Sequence, residues 1–197
     1  MVWLVLLGTA LGALVVAAVG GLVVLLVLQR RAARLLGAET PPVGDHAIRL
    51  IESRRPTFQM SVEQDFAAMP WEVWSALEDG AFTWIPMIDG VTYRDLDRGP
   101  GTVRTLDAIV FAAAEQITRR DPHTRLSVAG IETSIPLLVK SYTMDFHLSQ
   151  TPEGTTVLRW TIAGRPAVFA FLRLSWTAFF IRPFVRVVLA RWANYYR

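Results

Sequence analysis

From Val2 to Leu28 the chain carries no ionisable side chain, and as a helix that run is about 40 Å long at ~1.5 Å per residue. It exceeds the ~30 Å hydrocarbon core of a bilayer and spans it with some tilt. A cleaved signal peptide instead needs a basic leader and an apolar stretch of roughly 7–15 residues. This run has neither, so it reads as an uncleaved single-pass anchor. Arg30, Arg31 and Arg34 follow it and no basic side chain precedes it. The positive-inside rule then puts the C-terminal part on the cytoplasmic side of the cell membrane, with Trp3 at the opposite interface. Gly8/Gly12 and Ala13/Ala17/Gly21 recur every fourth position. Either they mark a close contact with a second copy or partner helix, or they reflect the abundance of small residues in membrane helices.

The remainder of the 197 residues suits one domain. The expected division is 1–29 transmembrane helix, 30–56 basic juxtamembrane segment and linker, and 57–197 folded domain. Cysteine is absent, which excludes disulfides, thiol nucleophiles and thiolate metal sites. The net charge of +3 is carried by scattered arginines, with Lys140 the only lysine, and forms no basic stripe of the kind nucleic acid requires.

Residues 35–56 read as a connector, broken at Pro41-Pro42-Val43-Gly44, with a short helix within 46–55 before Pro56. Phe58, Met60 and Val62 alternate with polar residues as in a half-buried strand. Pro70 opens a helix at 71–78 whose apolar face is Val73, Trp74 and Leu77. A second short helix is expected around Phe82–Ile85, ending at Pro86. Strands follow at 88–95, 102–109, 113–120, 124–132, 138–149 and 155–163, separated by turn signals such as Asp121-Pro122 and Pro152-Glu153-Gly154. Six strands with short turns imply an antiparallel meander. Ala167–Tyr196 closes the chain as an apolar helix that Pro183 should bend or divide. Arg173, Arg182 and Arg186 argue against a second span, at about 2.5–3.5 kcal/mol each at the bilayer centre.

Within that order lie Pro70-Trp71-Glu72-Val73-Trp74-Ser75-Ala76-Leu77-Glu78-Asp79, Gly99-Pro100-Gly101-Thr102-Val103-Arg104, Glu115-Gln116-Ile117-Thr118-Arg119-Arg120-Asp121-Pro122, Arg125-Leu126, and Gly154-Thr155-Thr156 leading to Trp160. On these motifs residues 57 to about 195 resemble the START-like superfamily known as SRPBCC, particularly its polyketide cyclase/dehydrase branch. The resemblance implies an α+β helix-grip fold, a curved antiparallel sheet around the long C-terminal helix. Between sheet and helix it implies an apolar cavity that holds a hydrophobic small molecule.

Strand alternation puts Tyr142, Met144, Phe146 and Leu148 on one face and Thr143, Asp145 and His147 on the other. Leu158, Trp160 and Ile162 face inward and Arg159 outward. By the resemblance, Leu106, Ala108 and Ile117 correspond to cavity positions and Glu115 to an acid that points inward. The implied lining also takes in Trp84, Tyr93, Arg104, Phe171, Trp176 and Phe180.

Glu115 has two readings. Beside an apolar cavity its pKa would be raised, and with Arg104 or Tyr142 it could bind a ligand hydroxyl or move a proton. Alternatively it is an exposed acid paired with Arg119 or Arg104. Glu115 and Tyr142 are the candidate catalytic residues. No Gly-x-Ser-x-Gly elbow, phosphate-cradling glycine loop or His-Glu-x-x-His pair occurs. His46, His123 and His147 fall in a linker, a turn and an outward strand face, so no metal site and no cofactor is expected. Three functions fit: a membrane-tethered binder or carrier of a lipid, isoprenoid or polyketide-like molecule, a cyclase- or aromatase-like enzyme, and a membrane scaffold with a vestigial pocket. Arginines beside exposed aromatics on the closing helix would let its end rest on anionic headgroups.

Overall fold

A computed structural model describes residues 2–53, 56, 58–79, 82–83, 88–93, 96–109, 111–135, 139–166 and 175–197, the side chains of 2–15, 139–140, 166 and 175–181 excepted. The apolar run forms α1 (Val2–Gly37), and α2 (Asp45–Ser53) follows the prolines. Next come β1 (Phe58–Phe66), α3 (Pro70–Glu78), β2 (Ile88–Tyr93), β3 (Val103–Ala108), β4 (Phe111–Asp121), β5 (Arg125–Thr133), β6 (Val139–Gln150) and β7 (Thr156–Pro166). Last is α4 (Ser175–Ala193), running into a short 3-10 turn at Asn194–Tyr196.

All seven strands form one antiparallel sheet in the order β1-β7-β6-β5-β4-β3-β2. The six-strand meander is as expected, and β1 adds to its far edge by pairing with β7. Alternation along β1 buries Met60 and Val62 and exposes Gln59, Ser61 and Glu63. Register shifts between β4 and β5 bring Glu115 opposite Gly130, and such bulges bend a sheet. α3 starts at Pro70, whose missing N–H is one that a first turn leaves unpaired anyway, and the Met69 N–H donates to Glu72 Oε2 at 2.8 Å.

The C-terminal half of α4 lies on the concave face. Val185, Val188, Leu189 and Trp192 share one buried cluster with Met144, Phe146, Leu158 and Trp160, while Arg182, Phe184, Arg186 and Val187 stay exposed. Phe66 meets the Trp192 ring edge-on at 4.6 Å, and Phe146 stacks on Trp160 at 5.2 Å. Pro183 sits within α4 and does not divide it.

Two expectations change. Phe82 is no helical residue: its φ is 67°, a left-handed conformation that is costly for a bulky side chain. Its ring is buried against Phe146 and Trp160, at 5.8 and 5.4 Å, and this packing offsets the strain. The remainder of 82–85 lies outside the described residues beyond Thr83.

The second change concerns the connector, whose first part is helical. Nothing between Gln29 and Leu36 breaks a helix, and α1 continues to Gly37. Ala32 and Leu35, three apart on one face, are buried against Ala112 of β4. Beyond the helix, Gln116 grips the chain: its Oε1 accepts from the Val43 N–H at 2.7 Å and its Nε2 donates to the Val43 carbonyl at 3.1 Å. Residues 112–117 of β4 are consequently buried on both faces, and small side chains at Ala112 and Ala114 let the helix end and connector approach. Residues 16–37 of α1 are long and apolar enough to cross a membrane, with side chains exposed from Val16 to Val27.

Candidate functional site

One transverse row crosses every strand. Register aligns Phe58 of β1, Gly164 of β7, Tyr142 of β6, Gly130 of β5, Glu115 of β4, Arg104 of β3 and Tyr93 of β2. The row shares the concave face with its neighbours Met60, Ile162, Met144, Val128 and Ile117. It lies eight residues along β1 from Phe66, roughly 26 Å at ~3.3 Å per residue, so it is far from the end of the sheet sealed by Trp192.

At its centre Arg104 and Glu115 are fully buried. Arg104 Nε donates to Glu115 Oε2 at 2.9 Å, and the Tyr142 hydroxyl donates to Oε1 at 2.7 Å. Nη2 of Arg104 also lies 2.8 Å from Oε2, but points no N–H at it. The exposed-edge reading of Glu115 is therefore wrong, and both suspected partners bind the same carboxylate. Arg119 pairs with Asp121 instead.

Burial works against the Arg104 charge, yet Glu115 and then Tyr93 more than offset it, so its pKa stands above the ordinary value. Burial pushes the Tyr142 phenol well above its usual 10, and the Glu115 charge adds to this. Tyr142 therefore stays a hydrogen-bond donor at neutral pH. Tyr93 lies close enough to the guanidinium to help hold its charge, though the two are not aligned for a hydrogen bond. Among the described residues, Arg104 Nη1 and the Tyr93 hydroxyl are buried polar groups without a partner.

Two glycines make the row possible. A Cβ on Gly130 would fall 2.1 Å from Tyr142 Cε1, so the phenol ring lies flat across Gly130 to reach Glu115 on the next strand. Likewise the Phe58 ring lies over Gly164, where a Cβ would meet Cε1 at 2.8 Å. Neither glycine has a positive φ; each serves close approach.

Other expected lining residues are placed as follows. Leu106, Ala108, Ile117, Met144, Phe146, Leu158 and Trp160 are buried, all but Ala108 within the main apolar cluster. Trp160 Nε1 is buried without a partner. Trp84 and Phe171 lie outside the described residues, as do the side chains of Trp176 and Phe180. His46, His123 and His147 are exposed and far apart in sequence. Sequence reasoning missed Gly130, Gly164 and Phe58, although glycine inside a strand signals a close approach.

A concave antiparallel sheet gripping a C-terminal helix, with a polar row on an otherwise apolar face, defines a helix-grip architecture. The profile of the family described as "Polyketide cyclase / dehydrase and lipid transport" matches residues 57–197, and the chain belongs to that family. No curated protein matches it. Among solved structures it is similar to a Nitrosospira multiformis protein, at 18% identity and a TM-score of 0.54, covering 71% of this chain and 97% of that one. It is also similar to major latex-like protein 151 from Panax ginseng, at 14% identity and a TM-score of 0.52, covering 71% and 97%. For Ara h 8.0201 the values are 13%, 0.51, 70% and 96%. At these identities the likeness is one of fold.

Proposed function

We propose that the chain is a membrane-tethered binder or carrier of a hydrophobic small molecule with a polar acceptor group, held between the concave face and α4. The carrying observation is the buried Arg104–Glu115 pair, bound by the half-buried Tyr142, with Arg104 Nη1 and the Tyr93 hydroxyl unmatched beside it. Apolar rows flank that cluster. They favour an apolar body at about 25 cal/mol per Å² buried, while unpaired buried donors favour a carbonyl, carboxylate or phosphate oxygen. The long exposed apolar helix α1 supports tethering, and Arg30, Arg31 and Arg34 support a cytoplasmic domain.

Catalysis of a cyclase type would use the Tyr142–Glu115 contact to move protons. Burial and the Glu115 charge hold the Tyr142 phenol protonated at neutral pH, so in such a step it would act as the proton donor and not as the base. Native mass spectrometry of the full chain extracted from membranes tests the reading. We expect an apolar molecule to co-purify with the wild type and to be lost from Arg104→Met. Extraction without any bound molecule would refute it, and turnover of a polyketone would replace it with the enzymatic one.

A further inference from the structure

A second concentration of unmatched charge lies on the convex face. The contact of Ala32 and Leu35 with Ala112 places Arg31 and Arg34, each one residue earlier, beside it on α1. There a cleft of about 380 Å³ separates the end of α1 from the end of β5, with Arg31, Arg34 and Ala38 on one wall and Glu132 and Ser134 on the other. Both arginines are exposed, and neither has an ion-pair partner among the described residues. The one carboxylate among the described residues lining the cleft, Glu132, accepts from the Thr40 hydroxyl at 3.2 Å. Two guanidiniums against one carboxylate leave the cleft with one net positive charge.

From this geometry we propose that the cleft is a binding site for the phosphate of an acidic lipid headgroup, in the bilayer that α1 enters. The proposal rests on the anchor reading of α1. Arg31 follows Leu28, the last residue of the apolar run, by about 4.5 Å along the helix, and Arg34 by about 9 Å. The headgroup layer is roughly 5–7 Å deep on each side, so Arg31 lies within it and Arg34, about 2 Å beyond, reaches back to it with its long side chain. Val27 and Val24 precede Arg31 by four and seven residues, on the same helical face, and both are exposed. Gly20 continues that face with open space around it, leaving a smooth track for an acyl chain. Planar guanidinium forks suit phosphate oxygens, and the docked helix end holds the two arginines in one arrangement instead of on a free leash.

The test is native mass spectrometry of the full chain ejected from nanodiscs of equal phosphatidylglycerol and phosphatidylcholine. Wild-type protein should retain phosphatidylglycerol preferentially. Each arginine near an anionic surface is worth about fivefold, so R31Q/R34Q should lower that preference by about 25-fold. R119Q/R159Q, in exposed ion pairs on the sheet away from α1, should leave it unchanged. An unaltered preference in R31Q/R34Q, or an equal loss in R119Q/R159Q, overturns the proposal. Inorganic phosphate should not strip the lipid adduct; if it does so readily, the site takes a free anion and the lipid assignment fails. Alkaline carbonate separates the two layers of inference. Release of the chain from membranes overturns both anchor and site, whereas an integral chain without acidic-lipid preference overturns the site alone.

Discussion

Replacing Gly130 by alanine should break the polar row through geometry alone, because the backbone there is not left-handed and accepts an L-residue. The new methyl would stand 2.1 Å from Tyr142 Cε1 and 2.5 Å from Cδ1 and Cζ, against an ordinary carbon separation of roughly 3.5–4.0 Å. A rigid ring must retreat by about 1.5 Å, which carries the hydroxyl out of hydrogen-bonding range of Glu115. Overpacking costs about 1–3 kcal/mol and the lost bond to a charged acceptor about 1.5–3, while alanine recovers about 0.5–1 over glycine in a strand. The net is a loss of about 2–5 kcal/mol. In a Tyr142→Ala background the clash and the bond are both absent, so the same substitution should be neutral or stabilise by up to ~1 kcal/mol. Urea unfolding of the full chain in detergent, followed by tryptophan fluorescence, gives the four stabilities of the cycle. Equal costs in the two backgrounds would refute the idea that Gly130 exists to make room for the ring.

Three further outcomes follow from the same structure. Arg104→Met leaves Glu115 buried without its counter-charge and should cost about 3–5 kcal/mol, with Glu115→Leu added to it recovering most of the loss in urea midpoints. Because the folded-state Tyr142 pKa is raised, folded and unfolded chains hold that proton equally below pH ~10, and this group adds no slope there. Above that pH the unfolded chain releases the proton first, so stability falls as pH rises; melting curves of Tyr142→Phe should show a shallower alkaline decline. Gln116→Leu removes both hydrogen bonds to Val43 and should cost about 1–2 kcal/mol. It should also speed cleavage after Glu39 by glutamyl endopeptidase while the strands stay intact.

Much of this architecture is legible in the sequence because it is written in local chemistry. Turn residues punctuate the strands, and alternation assigns Met144, Phe146, Leu158 and Trp160 to one face without knowledge of any partner. Glu115, Arg104 and Tyr142 could be nominated, but their union could not. It depends on the register of three pairings and on a bulge opposite Glu115 that no periodicity announces. Burial of β4 on both faces was hidden for a similar reason. Ala112, Ala114 and Gln116 acquire their meaning from a helix end and a connector about 75 residues earlier; Val43, for one, precedes Gln116 by 73. The helical end of α1 escaped because charged residues after an apolar run resemble a linker, although arginine, alanine and leucine all favour helix.

The pairing of β1 with β7 fixes a schedule for biosynthesis. Ser61 meets Thr161, a hundred positions later in the chain, and the two hydroxyls lie 2.8 Å apart. At about 5–20 residues per second a ribosome needs roughly 5–20 s to supply that partner. Until then β1 waits as an unpaired edge, and it gains its neighbour only when nearly the whole domain has been made.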